Sequence, residues 1–247
     1  MNPPLRGRTL LMPGGSRGAG PAIALAAARQ GANIVFDADP ADAGPAVARI
    51  EGAGGRALVT GALRDEAGVS AAIDTVVARF GGIDIVVNNT DAIEPGAPAV
   101  TLAEFEDRQQ RRLRATLLVT RAVLGQLRRS NNPHILAVAP PLNLAGPQRD
   151  AQSPSMLATY GMTLLTLGFA SELRAAGIAA NCLWPHALPA TVALGPRPAP
   201  DFDPAALAEA AVRVLAGRAA VDSGETHFDV DVLGDPDPSG HVVDAAR

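Results

Sequence analysis

A glycine-rich loop near the start of the chain has the residues and the spacing of a phosphate-binding turn. It reads PGGSRGAG at residues 13–20, directly after an apolar run and directly before a stretch of helical period. Glycines at positions 14, 18 and 20 (Gly14, Gly18, Gly20) permit a tight turn and a close approach of backbone N–H groups to a pyrophosphate, while a helix N-terminus favours the anion. The loop therefore predicts a dinucleotide contact, with Ser16 and Arg17 beside the phosphates.

Four other polar residues offer acid–base or anion-binding chemistry. The unperturbed pKa of a histidine, about 6.5, suits His186 to proton transfer. Arg112 can bind a carboxylate or phosphate through its planar guanidinium, while Asp91 offers a carboxylate and Ser155 a hydroxyl. Plainer interpretations stay open: a loop histidine, a turn-forming aspartate, and an arginine on a solvated helix face. No His/Asp/Glu cluster has metal-ligand spacing, so no metal site is predicted.

The elements that would position these residues alternate along the chain, because short apolar runs are followed by longer stretches of helical period. Strands are predicted at 9–12, 33–37, 57–60, 83–87, 134–138, 179–183 and 226–230. Helices are predicted at 17–30, 41–52, 66–80, 102–129, 154–175 and 204–215. This pattern indicates an α/β fold, a doubly wound parallel sheet of about seven strands with helices on both faces.

We interpret residues 1–247 as one domain, with a proline-rich loop or lid at 195–204. Open sheets of this class bind ligands beyond the carboxyl ends of the strands, so we predict that the ligand cleft lies there. Its predicted polar lining is Asp91, Arg112, Asn143, Gln148, Ser155 and His186. A leucine stripe in the fourth helix is predicted to be core, formed by Leu113, Leu117, Leu124 and Leu127.

Composition narrows the class of partner. The formal net charge is -4 and no basic run is present, which argues against nucleic-acid binding. No apolar stretch approaches the length of a membrane span and no export signal is visible, so a cytoplasmic protein acting on a small molecule is expected. All 21 basic residues are arginine, and the chain contains no lysine.

Several segments together resemble the short-chain dehydrogenase/reductase (SDR) family, which has a Rossmann-like fold. They are the glycine loop, GANIV at 31–35, GGIDIVVNN at 81–89 and NCLWP at 181–185. The chain resembles most the hydroxysteroid dehydrogenase-like branch, through PPLNL at 140–144, YGM at 160–162 and LWP at 183–185. The resemblance covers nearly the whole chain and implies an NAD(P)-dependent oxidoreductase.

The resemblance also exposes what is missing. In that family a tyrosine is the general acid/base, a lysine four residues later lowers its pKa and holds the nicotinamide ribose, a serine polarises the carbonyl, and an asparagine supports a water relay. Aligned through the YGM segment, these four positions fall on Ser155, Thr159, Ala139 or Pro140, and Arg112. Because Tyr160 is the only tyrosine and no lysine exists, no other alignment restores the pair.

Cofactor contacts are implied by the same resemblance. Beyond the loop, Asn88 is expected to contact the dinucleotide, and Asp37 and Asp39 could accept hydrogen bonds from the adenosine ribose and repel a 2′-phosphate. Pro13 and Ala62 replace a threonine and an aspartate of the family. We therefore expect NAD(H) or NADP(H), with a preference for NAD(H), to bind weakly or to be absent.

Three functions follow as hypotheses. The first is an atypical or non-redox SDR-like enzyme of small-molecule metabolism, with Asp91, Arg112, Ser155 and His186 as candidate catalytic residues. The second is a silent scaffold or regulatory subunit that partners an active SDR. The third is an ordinary NAD(P)-dependent dehydrogenase or reductase. The resemblance further implies a homodimer or homotetramer paired through the helices at 102–129 and 154–175.

Overall fold

A seven-stranded parallel sheet forms the centre of the computed structural model, which describes residues 3–38, 40–89, 100–139, 153–185, 202–219 and 222–234. The strands are Thr9–Met12 (β1), Asn33–Asp37 (β2), Arg56–Thr60 (β3), Ile85–Asn89 (β4), His134–Val138 (β5), Ala179–Trp184 (β6) and Thr226–Phe228 (β7). The predicted fold class is confirmed.

Helices connect successive strands in the described part of the chain. They are Gly20–Arg29 (α1), Pro40–Gly52 (α2), Glu66–Phe80 (α3), Leu102–Gln109 (α4), Ala115–Leu127 (α5), Ser153–Leu173 (α6), Pro204–Ala216 (α7) and Asp229–Leu233 (α8). A π-helical turn, Gln110–Arg114, joins α4 to α5, and a 3-10 turn, Arg174–Ala176, follows α6. No helix in these ranges is long and apolar enough to cross a membrane.

The strand order is β3-β2-β1-β4-β5-β6-β7, with every neighbouring pair parallel. Leu10 of β1 lies between Ile34 of β2 and Ile85 of β4, so the chain leaves β1 toward one edge and later returns to its other side. Sheets of this kind bind ligands at such a reversal, beyond the carboxyl ends of the strands. The expected crevice therefore lies above β1 and β4.

Two apolar layers hold the sheet between helices. Side chains of β1 alternate, so that Leu10 and Met12 pack toward α1 and α7 while Leu11 packs toward α3, α5 and α6. All four β1 residues are buried, as expected for a parallel strand covered on both faces. The carboxyl ends of the strands are thereby fixed against both layers.

Many element boundaries differ from the sequence-based expectations by one to three residues, and three of the differences reflect local structure. The helix predicted at 102–129 is interrupted by the π-helical turn. Strand β4 begins at Ile85 rather than at 83, where Asp84 instead accepts a hydrogen bond from the Thr9 N–H through its side chain (2.8 Å). Strand β7 ends at Phe228, because Asp229 begins α8 and its carboxylate accepts from the Val230 N–H (2.9 Å).

The predicted leucine stripe is core for two of its four members. Leu127 is fully buried, and Leu124 is partly buried and packs against the core. Leu113, in the π-helical turn, is partly buried, and Leu117 is 37 % exposed. The buried face of α5 is formed by Thr116, Val119, Thr120, Val123 and Leu127. Leu117 therefore lies outside the core and leaves an apolar side chain on the surface of α5.

Candidate functional site

The loop between β1 and α1 has the shape that the glycine pattern predicts. Gly14 adopts a positive φ of 69°, which favours glycine. A side chain at Gly20 would overlap the backbone carbonyl of Gly15, so that position also requires glycine. Ser16, half-buried, and Arg17 and Gly18, both exposed, form the outer part of the turn. The turn therefore brings backbone close to the cleft without side chains in the way.

Asn89, which the sequence reasoning passed over in favour of its neighbour, holds this loop in place. Its Nδ2 donates to the carbonyl oxygens of Gly14 (3.1 Å) and Arg17 (3.0 Å), and its backbone N–H donates to the Pro13 carbonyl (3.4 Å). The sequence feature that could have identified Asn89 was the pair of asparagines at the end of an apolar strand. The second asparagine of that pair positions the loop, whereas the first lines the cleft.

Asp37, the last residue of β2, is the carboxylate that the structure brings to the glycine loop. The Gly14 N–H donates to its Oδ1 (2.6 Å), and Asp37 lines the same cleft as Arg17. The other predicted acid, Asp39, lies outside the described residues. A carboxylate at this point accepts hydrogen bonds from ribose hydroxyls and disfavours an added phosphate.

One cleft of about 530 Å³ connects the loop with the α5 and α6 side of the molecule. Ala62 and Leu63 line it near Asp37, and Arg112, Thr116 and Met162 line it from the helices. Its size falls within the range of small-molecule sites, about 300–1,000 Å³. The described residues thus form one continuous groove from the glycine loop to the π-helical turn.

Arg112 lies at the helical side of this cleft and is 6 % exposed. Its neighbours Arg111 and Arg114 are exposed: the first forms an ion pair with Asp107 (2.9 Å), and the second donates to the Arg64 carbonyl (2.5 Å). The interpretation as a solvated helix face therefore applies to Arg111 and Arg114 but not to Arg112. Arg112 is the buried residue of a π-helical turn, a feature that is common at functional sites.

On α6, Met162 faces the cleft and Thr159, nearly one turn earlier, is fully buried. Ser155 lies in α6 one turn before Thr159, with its side chain outside the described part. Tyr160 is half-buried and follows Thr159 by one residue, about 100° around the helix. Of these α6 residues, Met162 lines the described cleft, and Thr159 lies within about 60° of it around the helix.

Two further positions complete the described part of the site. Ala139 is buried just after β5, where its N–H donates to the Leu183 carbonyl (3.2 Å). Asn88 is 2 % exposed and lines the cleft; its Nδ2 donates weakly to Thr120 Oγ1 (3.5 Å), and its Oδ1 is buried without a hydrogen-bond partner. Several predicted lining residues lie outside the described residues: Asp91, Asn143, Gln148 and His186. Most of the predicted lid at 195–204 lies outside them as well.

Titratable groups with large shifts lie away from the cleft. Burial lowers the pKa of His134 to about 4, at the start of β5 and so at the opposite end of the sheet. Burial also raises the pKa of the Cys182 thiol to about 12. Within the described ranges, no group of three His, Cys, Asp or Glu side chains could hold a metal ion. The chemistry available in the described cleft is therefore anion and hydrogen-bond recognition.

Known proteins share this architecture. The structure of a short chain dehydrogenase from Mycobacterium thermoresistibile is 39% identical with a TM-score of 0.82, covering 96% of this chain and 88% of that one. The 3-ketoacyl-(acyl-carrier-protein) reductase of Brucella melitensis, solved with NADH, is 27% identical with a TM-score of 0.77, covering 91% of this chain and 97% of that one.

Sequence comparison agrees. Hydroxysteroid dehydrogenase-like protein 2 of Danio rerio is 40% identical over 200 residues, which cover 77% of this chain and 48% of that protein. The chain spans about half the length of the curated relatives it matches. The family model described as short chain dehydrogenase matches residues 8–196. The chain therefore belongs to the short-chain dehydrogenase/reductase family.

Proposed function

We propose that this chain is an atypical SDR enzyme that acts on a small molecule without the tyrosine–lysine pair of its family. One observation carries the proposal: the chain contains no lysine, and Tyr160 is its only tyrosine. Met162 of α6 lines the cleft, and Thr159, at the family's lysine position, is buried on the same helix. A neutral threonine cannot supply the cation that a tyrosine, with an ordinary pKa of about 10, needs to exchange protons near neutral pH.

The glycine loop fits a dinucleotide, and we propose NAD(H) as the cofactor. Support comes from the tight turn at Gly14, with its positive φ, and from Asp37, whose carboxylate would repel a 2′-phosphate. The family relative solved with NADH points the same way. When bound, the nicotinamide supplies a hydride donor or acceptor. Arg17, exposed at the cleft, is the one feature of the loop that favours NADP(H).

Binding of the cofactor is proposed to be weak. Thr159 and Ala62 stand where the family places a lysine and an aspartate toward the cofactor. Hydrogen bonds to charged groups contribute about 1.5–3 kcal/mol each, so two lost contacts weaken binding by about 10² to 10⁴-fold. The site then favours proton transfer, dehydration or cyclisation over ordinary hydride transfer. Arg112 is the described residue proposed to contact the substrate; Asp91, Ser155 and His186 remain predicted partners.

Two titrations and one assay test this function. Calorimetry with NADH and with NADPH, each up to millimolar concentration, is expected to give millimolar dissociation constants or no heat. A panel of ketones and secondary alcohols with either cofactor is expected to give no turnover above background. Robust turnover of these ordinary substrates would refute the proposal and restore the third hypothesis, a standard NAD(P)-dependent oxidoreductase.

A specific surface favours a second candidate, a scaffold or regulatory subunit. Three leucines on the two helices are exposed: Leu117 on α5 by 37 %, and Leu157 and Leu164 on α6 by 56 % and 62 %. Several exposed leucines on neighbouring elements indicate an interaction surface, whereas a single one would need no explanation. We propose that this apolar face pairs subunits as a homodimer or homotetramer, or with an active SDR. Light scattering after size exclusion should show a dimer or tetramer that Leu164→Glu dissociates.

Ala71→Glu is the matched control, since Ala71 is exposed on α3, outside both helices predicted to pair the subunits. It should leave the mass unchanged. A monomeric wild-type protein would remove the support for both assemblies. A self-contained homotetramer would favour the enzyme over the silent partner.

A further inference from the structure

We propose that Arg112 binds the carboxylate of an organic-acid substrate on the helical side of the cleft. The inference rests on the proposed function only in that it assigns a chemical class to that substrate. No other arginine in the described part of the chain is as buried as Arg112, and Arg112 also lines the cleft. Arginine remains protonated at every physiological pH, so this positive charge is permanent.

Burial of a guanidinium costs hydration free energy, and surface arginines avoid that cost. Arg111 and Arg114 do so on the same short segment, where both are exposed. Arg112 is the buried residue of the π-helical turn Gln110–Arg114, and its carbonyl accepts a hydrogen bond from Thr116 Oγ1 (2.9 Å). A charge placed in a concave, partly dehydrated site recognises an anion more strongly than one in water does.

The charges around the cleft favour an anion as well. Arg17, Arg64 and Arg111 line it together with Arg112, whereas the described carboxylates at its wall are Asp37 and Asp107. Asp107 is held by Arg111 (2.9 Å), and Asp37 accepts from the Gly14 N–H (2.6 Å). A wall with more cations than carboxylates raises the local concentration of anionic ligands.

A second, independent observation points to a ligand. Asn88 lines the cleft from the end of β4, and its Oδ1 is buried without a hydrogen-bond partner while Nδ2 is directed to Thr120. Buried polar atoms in native proteins rarely stay unsatisfied; an ionised carboxylate has no hydrogen to donate, so a hydroxyl or amine elsewhere on the bound ligand would satisfy this one. Met162 provides an apolar wall close by, which suits the carbon skeleton of an acid.

Carboxylate is preferred over phosphate because the planar guanidinium fork pairs with a planar carboxylate through two parallel hydrogen bonds. The probes are hexanoate, its neutral analogue hexanamide and inorganic phosphate, titrated into the purified full chain and followed by NMR line broadening. Hexanoate is expected to bind at least about tenfold more tightly than hexanamide. Arg112→Gln should weaken hexanoate by about tenfold to a hundredfold, since a hydrogen bond to a charged group contributes about that factor.

Arg112→Lys keeps the charge without the fork and should fall between wild type and Arg112→Gln. Arg121→Gln is the matched control, because Arg121 is exposed on α5 nine residues further along, on the opposite side of the helix. Its affinity for hexanoate should equal that of wild type. Thermal unfolding of each variant checks the fold; if Arg112→Gln does not fold, Arg112→Lys and the comparison of hexanoate with hexanamide decide.

Three results would overturn the proposal: equal binding of hexanoate to wild type and Arg112→Gln, no binding of hexanoate to wild type, or tighter Arg112-dependent binding of phosphate than of hexanoate. The last would assign a phosphoryl group to the site. None of these titrations needs cofactor or turnover. Ordinary ketone reduction would therefore refute the proposed function without touching this result, and a failed titration would leave the proposed function standing.

Discussion

Acidification should destabilise this protein through one buried histidine. His134 begins β5 and is almost fully buried; its Nδ1 lies 3.1 Å from the Asn132 carbonyl, and its Nε2 is buried without a partner. We infer that Nδ1 carries the proton of the neutral ring. A second proton on Nε2 would meet no acceptor, and the Arg8 side chain lies 3.3 Å from Nδ1. Burial first, and Arg8 in addition, lower the pKa of His134 to about 4.

The sign of the effect follows from proton binding. Below its ordinary pKa of 6.5 the histidine of the unfolded chain takes up a proton, whereas the folded protein does so only near pH 4. The contribution of His134 to the free energy of unfolding is therefore fully present above about pH 7, and it is lost as the pH drops from 6.5 to 4. At about 1.4 kcal/mol per pH unit, the loss over this window is about 3 kcal/mol.

Urea unfolding of wild type and His134→Gln, followed by circular dichroism between pH 4.5 and 7.5, measures this loss. Glutamine stays neutral, so titrating carboxylates affect both proteins alike and cancel in the difference. Wild type should be the more stable at pH 7.5, and the gap should narrow by about 2–3 kcal/mol at pH 4.5. Parallel stability curves across the whole range would show that His134 does not titrate in the folded protein as argued.

Other predictions concern the cofactor end of the cleft. Asn89→Ala removes the donor to the Gly14 and Arg17 carbonyls and should lower the free energy of unfolding, measured in urea, by about 1–3 kcal/mol. An unchanged urea midpoint would show that these two hydrogen bonds do not stabilise the loop. Gly20→Ala places a methyl group against the Gly15 carbonyl and should abolish whatever NADH binding calorimetry detects, whereas retained affinity would mean that the loop yields. Asp37→Asn removes a charge near the 2′-position and should raise the affinity for NADPH relative to NADH about tenfold; no change in the ratio would place the ribose elsewhere.

The sequence predicted the sheet well because its strands are short, continuous apolar runs. The strands Thr9–Met12 and His134–Val138 have the predicted bounds, and both are buried along their whole length. The glycine loop was equally predictable from the sequence, since its context of strand, turn and helix is local. Features that depend on the packing of distant elements were not predictable in this way.

Three site features show this limit. Arg112 stands among other arginines, and only the π-helical turn with its packing distinguishes a buried charge from a solvated one. The contact of Asp37 with the glycine loop depends on where β2 ends relative to Gly14. Asn89 acts through its side-chain contacts with the loop, which no spacing rule in the sequence specifies.

The π-helical turn is equivalent to one residue inserted into an otherwise regular α-helix. Deleting a single residue from Gln110–Arg114 would let α4 and α5 merge into one continuous helix. That deletion would leave α4 and α5 in nearly the same relative orientation, because the wider π turn takes up the extra residue. Thr116, Val119 and Val123 would keep their places in the core, while the side chains of the turn itself, Arg112 among them, would change direction. One insertion thus allows the helical wall of the cleft to change while the flanking helices and the sheet below keep their places.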